Sequence, residues 1–277
     1  MNAVLKEKEC QNSEFINLGK IANVVQFPRK EITNKIVKTE ISIELYNQSC
    51  FEYLSTLESN SVDLVLIDPP YEISKPTGFA SGGGVERFAV SMDFGEWDKN
   101  FNGLDKVIQE CYRVLRKGGT FICFYDLWKV TPLKDQMENS KFKQIRFIEW
   151  VKTNPVPLNS SVNYLTGARE IALVGVKSGK GTFNDKYHKG IYNYPIYHDK
   201  ERFHPTQKPV NLITELIEKH SNKGDLVLDC FSGSGTTALS AMKSGRNFKG
   251  CELDVDYHQK SINRLNKENT NIIIKGK

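Results

Sequence analysis

From Ile41 onward the chain alternates strand-like apolar runs with amphipathic helical stretches, and that alternation confines it to a wound α/β sheet. Strands are expected at residues 41–46, 62–67, 120–125, 145–152, 171–177, 226–229 and 247–252. Helices are expected near residues 50–57, 104–116, 132–139, 210–220, 236–244 and 255–266. Lys117-Gly118-Gly119 reads as a helix stop, a basic last turn followed by glycine, and Asp254 as an N-cap. No helical pattern separates 145–152 from 171–177, so those two strands are expected to pair antiparallel.

Residues 1–40 are polar and lack a sustained period, which marks an extension of uncertain order; the α/β domain is expected to span 41–270. Two segments break the alternation. Residues 72–100, with Gly82-Gly83-Gly84, read as a long mobile loop directly after a strand, and residues 178–203 as a segment rich in Tyr, Lys and His. The N-terminus has no apolar core of the kind a secretory signal needs, and no apolar stretch reaches the roughly 18 residues that suggest a spanning helix. Six scattered cysteines form no CxxC pair, so no metal is expected and a reducing, cytoplasmic location fits. A net charge of +5 suits a polyanionic partner without selecting one.

Two motifs carry chemistry. In Leu228-Asp229-Cys230-Phe231-Ser232-Gly233-Ser234-Gly235-Thr236-Thr237 a buried strand ends in a glycine turn that opens a helix. The glycines allow a ligand close to the backbone, and the helix N-terminus offers free amides. Glu252 ends the next strand, where a carboxylate can hold ribose hydroxyls. In Leu64-Val65-Leu66-Ile67-Asp68-Pro69-Pro70-Tyr71 another buried strand delivers a carboxylate and an aromatic ring on a turn stiffened by two prolines.

These residues resemble the S-adenosylmethionine-dependent DNA amino-methyltransferases. Asp68-Pro69-Pro70-Tyr71 matches that family's catalytic motif, and residues 229–237 its cofactor motif, with Cys230 where proline is frequent. His204-Pro205-Thr206-Gln207-Lys208-Pro209 resembles the segment that precedes the cofactor motif. The catalytic motif comes first, the circularly permuted order of the β group, and the resemblance covers residues 41–266. It implies a class I, Rossmann-like methyltransferase fold with a seven-stranded, mostly parallel sheet and one antiparallel strand. Relatives often carry Gly-Asp before the equivalent of Cys50; here Gln48 and Ser49 follow Asn47, so the resemblance assigns Asn47 no cofactor role.

The resemblance also implies roles. Asp68, Pro69, Pro70 and Tyr71 are the expected catalytic residues: the Asp68 carboxylate and Pro69 carbonyl accept the two amine hydrogens, and Tyr71 stacks on a base flipped out of double-stranded DNA. Asp229, Phe231, Ser232, Gly233, Ser234, Gly235, Thr236, Glu252 and Lys208 are the expected S-adenosylmethionine contacts. In this group the target-recognition region lies at residues 178–203, so Lys180, Lys186, Tyr187, His188, Lys189, Tyr192, Tyr194, Lys200 and Arg202 are the expected DNA contacts. Residues 75–87 are expected to close over the flipped base. Relatives are often homodimers; a restriction endonuclease partner is not identified by the sequence.

An aspartate at the first catalytic position usually goes with adenine N6 and a serine with cytosine N4, so adenine is expected and cytosine N4 is the alternative. Methylation of cytosine carbon 5 needs a cysteine nucleophile, characteristically after proline, and none of the ten prolines is followed by cysteine. A nicotinamide-dependent oxidoreductase would leave Asp68–Tyr71 and the Lys208-Pro209 segment without a role. A catalytically silent binder does not fit an intact catalytic motif. RNA or protein-glutamine methylation usually goes with asparagine at the first position and a catalytic motif that follows the glycine turn.

Overall fold

The chain divides into a unit Met1–Lys38 and a unit Thr39–Lys277. A computed structural model describes residues 41–71, 101–155, 165–198, 202–268 and 274–275. The expected extension at 1–40, the loop at 72–100 with its closing segment 75–87, and Lys200 therefore lie outside the described residues.

Chain order runs β1 (Ile43–Asn47), α1 (Cys50–Thr56), β2 (Val62–Ile67), α2 (Leu104–Val114), β3 (Leu115–Tyr125), a short 3-10 turn (Leu127–Lys129) and α3 (Val130–Asn139). Then follow β4 (Lys143–Lys152), β5 (Arg169–Val176), β6 (Ile191–Tyr194), α4 (Val210–His220), β7 (Leu226–Asp229), α5 (Thr236–Ser244), β8 (Asn247–Glu252), α6 (Val255–Glu268) and β9 (Ile274–Lys275). They form one nine-stranded sheet in the order β6-β4-β5-β3-β2-β7-β8-β1-β9. β5 runs antiparallel to both β3 and β4, and every other pairing is parallel. The antiparallel pairing of β4 with β5 is the one expected from the sequence.

Helices cover both faces. Leu212, Ile213, Leu216 and Ile217 of α4, Ala238 and Leu239 of α5 and Leu265 of α6 pack on one side of the sheet. Tyr53 and Leu54 of α1, Val107 and Ile108 of α2, and Leu133 and Met137 of α3 pack on the other. Coverage on both faces explains why the central strands read as near-continuous apolar runs, as in Val62–Ile67. Cys123, Cys230 and Cys251 are buried as small hydrophobes among these side chains. Among the described residues no helix is long and apolar enough to cross a membrane.

Of three local expectations, one holds and two are corrected. Asp254 does cap α6, its Oδ1 accepting the Tyr257 N–H at 2.8 Å. The Lys117-Gly118-Gly119 stop does not end α2, which closes at Val114 with Leu115 already extended. Between the pairs Val62↔Leu115 and Leu64↔Thr120 the β2–β3 register shifts, and this glycine pair forms the bulge. Gly118 sits at φ +79°, where a Cβ would lie 2.7 Å from the Lys180 carbonyl. Finally, the segment 178–203, expected as an inserted loop, contributes the edge strand β6, registered with β4 from Glu149↔Ile191 to Lys152↔Tyr194. Four residues are too few to carry a readable period; the open edge of β4 makes them a strand.

Candidate active site

Three acidic residues far apart in the chain finish neighbouring strands: Asp68 directly after β2, Asp229 at the end of β7 and Glu252 at the end of β8. β2 pairs parallel with β7, and β7 with β8, so the three carboxylates emerge from one edge of the sheet. From β2 the chain proceeds to β3 on one side, and from β7 to β8 on the other. That reversal of winding direction opens a crevice beyond the strand ends, where ligands of open α/β sheets bind.

A cavity of about 330 Å³ fills the crevice. Its volume is in the range of small-molecule sites, about 300–1,000 Å³. All the expected cofactor residues except Gly235 line it, together with Asp68 and Pro70. Pro69, which is buried, is not among the lining residues, nor is Gly235, which packs against Ser261. Phe51, Phe101, Gln207 and Tyr257 also line it, and the sequence pattern assigns them nothing. Phe101 meets Phe231 edge-on at 5.4 Å and stacks on Phe51 at 6.1 Å, an aromatic wall assembled from three separate segments. Phe51 reads in sequence as an ordinary exposed helix position, so no local signal marks it.

The glycine turn is built for close approach. Gly233 and Gly235 take φ values of +48° and +69°, which favour glycine. A Cβ on Gly233 would lie 3.3 Å from the His204 ring, and one on Gly235 3.0 Å from Ser261 Cβ. α6 occupies the turn's carbonyls: Ser261 Oγ donates to Gly233 O at 2.8 Å and Arg264 to Ser234 O at 2.9 Å. The Gly233 N–H donates to Glu252 Oε2 at 2.6 Å, and the Phe231 N–H to Asp229 Oδ1 at 2.9 Å. Gly235 caps α5 without a side-chain bond, and Thr236 and Thr237 of its first turn line the cavity. Asn47 lies outside the cavity; its amide donates to the carbonyls of Glu252 and Leu253 and pins the end of β8.

Two buried polar atoms on the cavity wall, Ser232 Oγ and Gln207 Oε1, have no hydrogen-bond partner among the described residues. A buried unpaired oxygen is costly, so both fit a site completed by a polar ligand.

Charge at the site is concentrated on one chain of contacts. Asp68 Oδ1 accepts from the Tyr71 hydroxyl at 2.5 Å, and Asp68 Oδ2 meets the Lys208 ammonium. Lys208 also pairs with Glu170 at 3.2 Å, and Glu170 with Lys152 at 2.8 Å. Burial alone would discharge Lys208, but Asp68 and Glu170 outweigh it and raise its pKa. Burial pushes Asp229 up to about 7, with Asp68 and Glu252 adding to the rise. His204 falls to about 4 through burial, helped by Lys208 and Arg202. Lys152 and Glu170 escape notice in the sequence, because a charged residue at the end of an apolar strand usually marks only its exit to solvent.

The expected DNA contacts divide. Lys180, Lys186, Tyr187, Lys189 and Arg202 are exposed, Tyr187 fully. Tyr192 does not fit that expectation: on β6 it is 3% exposed and belongs to the core. Tyr194 tethers β6 to α4, its hydroxyl donating to Glu215 at 2.5 Å. His188 Nδ1 accepts the Gly190 N–H at 3.1 Å and its ring lies 4.7 Å from Tyr192. None of these residues lines the cavity.

Residues 62–263 match the DNA methylase family of N6/N4 methyltransferases. The type II methyltransferase M2.DpnII of Streptococcus pneumoniae is 33% identical over 254 residues, covering 81% of this chain and 90% of that protein. M2.MboI of Moraxella bovis is 30% identical over 246 residues, covering 80% and 87%. Among solved structures, the M1.HpyAVI–SAM complex superposes with a TM-score of 0.61 at 29% identity, covering 80% of this chain and all of that one. The cytosine-N4-specific PvuII DNA methyltransferase reaches 0.62 at 16% identity, a likeness of fold alone. With the permuted motifs converging on one crevice of a class I methyltransferase sheet, the chain belongs to the N6/N4 DNA methylase family.

Proposed function

We propose that this protein transfers a methyl group from S-adenosylmethionine to the exocyclic N6 amine of an adenine flipped out of double-stranded DNA. The observation that carries the reading is the placement of Asp68 on the wall of the cavity that the glycine turn and Glu252 also line. The residues suit this cofactor. Glu252, a carboxylate at a strand end on the cavity wall, can accept from ribose hydroxyls, the open first turn of α5 offers amides, and Ser232 and Gln207 hold unpaired oxygens that can accept from the cofactor's donors.

Bound S-adenosylmethionine supplies an electrophilic methyl on its sulfonium. The protein has to present the amine to it. An exocyclic amine is a poor nucleophile because its lone pair is delocalised into the ring. Asp68 and the Pro69 carbonyl are both acceptors, and hydrogen bonds to them from the amine hydrogens raise the electron density on nitrogen and hold its lone pair out of the ring, free to attack. Transfer of the methyl would leave positive charge on the nitrogen while the sulfonium departs as a neutral thioether, and the Asp68 carboxylate would stabilise that charge. One amine proton then leaves through the same carboxylate to solvent. Tyr71 supplies the aromatic surface for the flipped base, and the exposed Lys180, Lys186, Lys189 and Arg202 supply phosphate contacts. Aspartate at position 68 supports adenine over cytosine by resemblance.

The test is methyl transfer from labelled S-adenosylmethionine to unmethylated DNA with wild type and Asp68→Ala, followed by nucleoside analysis. N6-methyladenine made by wild type and lost by a factor of about 10²–10³ or more in the variant is the expected outcome. N4-methylcytosine would keep the chemistry and replace the base. Cofactor binding without transfer to any DNA would reject the reading.

A further inference from the structure

The crevice contains more charge than the chemistry above uses. Lys152, Glu170, Lys208 and Asp68 form an unbroken alternating chain of cation and anion that ends on the reacting carboxylate. The side chains of all four are largely buried, Lys208 at 8% exposure. Such a chain is a poor device for stability, because desolvating the ions offsets most of their attraction and apolar replacements often do as well. Its position suggests another use. Glu170 is absent from the cavity wall, whereas Lys208 lies on it, with its ammonium 5.1 Å from the Phe124 ring and 5.8 Å from that of Tyr71.

Resting on the proposed function, we propose that Glu170 is a positioning residue for methyl transfer. Backed by Lys152, it shares the Lys208 ammonium with Asp68 and thereby keeps the Asp68 carboxylate available to the target amine. In this structure the Lys208 ammonium rests on Asp68 Oδ2, closer than on Glu170; with Asp68 as its sole counter-ion it would have no second anion to withdraw to when the amine hydrogens need those lone pairs. Glu170 divides that attraction from behind. It is rigidly placed to do so: it sits on β5 opposite Trp150 in register, and Lys152 is bonded to its other oxygen at 2.8 Å. Burial opposes ionisation of Glu170, but the two lysines outweigh it and hold its carboxyl below the ordinary range, so it stays an anion between them.

The experiment uses the full chain, S-adenosylmethionine, and plasmid DNA prepared in a host without DNA methylases. Single-turnover transfer at saturating cofactor, cofactor Kd by calorimetry and thermal unfolding are measured for wild type, Glu170→Gln, Lys208→Met and the double variant. Glu170→Gln keeps hydrogen-bonding groups and removes the charge. It should lower the transfer rate about tenfold or more, the worth of one charge-assisted hydrogen bond, with cofactor Kd changed by no more than about threefold. In the Lys208→Met background the same change should add almost nothing, since its route of action is gone.

Equal rates in Glu170→Gln and wild type overturn the proposal, and so do rate effects that multiply in the double variant. If Glu170→Gln does not fold, Lys152→Gln reads the chain from its outer end: a slower transfer step at unchanged cofactor affinity supports the proposal and an unchanged rate overturns it. A wild type that binds cofactor yet transfers to no DNA rejects the functional reading and this inference together. An active wild type matched by Glu170→Gln rejects the inference alone.

Discussion

The Tyr71 hydroxyl donates to Asp68 Oδ1 at 2.5 Å, so the ring expected to stack on a base is tied to the carboxylate expected to hold that base's amine. Tyr71 is also fixed by an edge contact with Tyr125 at 5.5 Å and by Lys129, whose ammonium donates to the Tyr71 carbonyl at 2.7 Å. Burial, then the Asp68 charge, raise the Tyr71 pKa far above its ordinary value, so the hydroxyl keeps its proton and remains a donor.

Ring and hydroxyl of Tyr71 should therefore separate by mutation. Tyr71→Phe keeps the stacking surface and loses the tie to Asp68; its transfer rate should stay within about threefold of wild type, since an ordinary hydrogen bond contributes little net. Tyr71→Ala should lose about 1–3 kcal/mol, roughly 5–150-fold in kcat/KM for DNA, the value of one stacked base. Steady-state kinetics on both variants decide it. Equal losses would mean that the hydroxyl, not the ring, matters.

Asp229 makes ligand-free stability depend on pH. Its folded pKa, about 7, stands above the ordinary 3.8 because burial disfavours the charge. Between those values the folded protein keeps a proton that the unfolded chain has released, so this contribution is complete below about pH 4 and disappears as pH rises through 7. Its full size is on the order of 4 kcal/mol at most. Thermal unfolding of wild type and Asp229→Asn between pH 4 and 8 should show the variant gaining relative to wild type as pH rises. A constant difference would contradict the burial argument.

Ser232 carries a hydroxyl with no described partner on the cavity wall. Ser232→Ala should raise the unfolding midpoint of the ligand-free protein by about 2–4 °C, by removing an unpaired buried oxygen worth about 1 kcal/mol. The same variant should bind S-adenosylmethionine more weakly. Stabilisation with unchanged cofactor affinity would show that the hydroxyl faces no ligand atom.

Lys186 and Lys189 are exposed on the segment leading into β6. Lys186→Glu with Lys189→Glu should weaken DNA binding across sequences and leave cofactor affinity intact. The salt dependence should flatten by about 0.9 for each phosphate that is no longer neutralised. Fluorescence anisotropy on duplex DNA at several salt concentrations measures both affinity and slope. An unchanged slope would remove these lysines from the DNA face.

Much of the fold and site is legible in the chain because the responsible forces are local. Burial on both faces writes strands such as Val62–Ile67 as apolar runs, and the short antiparallel excursion from β4 to β5 shows as a gap without helical period. Asp68 and the glycine turn are readable for a similar reason. A proline-stiffened exit and positive-φ glycines are backbone requirements that only a few residue types meet.

Other features depend on contacts between residues that the chain keeps far apart. Lys152, Glu170, Lys208 and Asp68 come from three strands or their exits and one loop; Asp68 and Lys208 stand in readable motifs, but Lys152 and Glu170 are in sequence only charges beside apolar runs, and nothing in the pattern pairs the four. The aromatic wall of Phe51, Phe101 and Phe231, and the burial of Tyr192 on β6, likewise follow from which strand edge and which face happen to be open. Local backbone preference and burial period determined where the strands end and which carboxylate leads the site. Only tertiary packing decided which charges face one another, because electrostatic partnership depends on distance and desolvation, neither of which a linear pattern records.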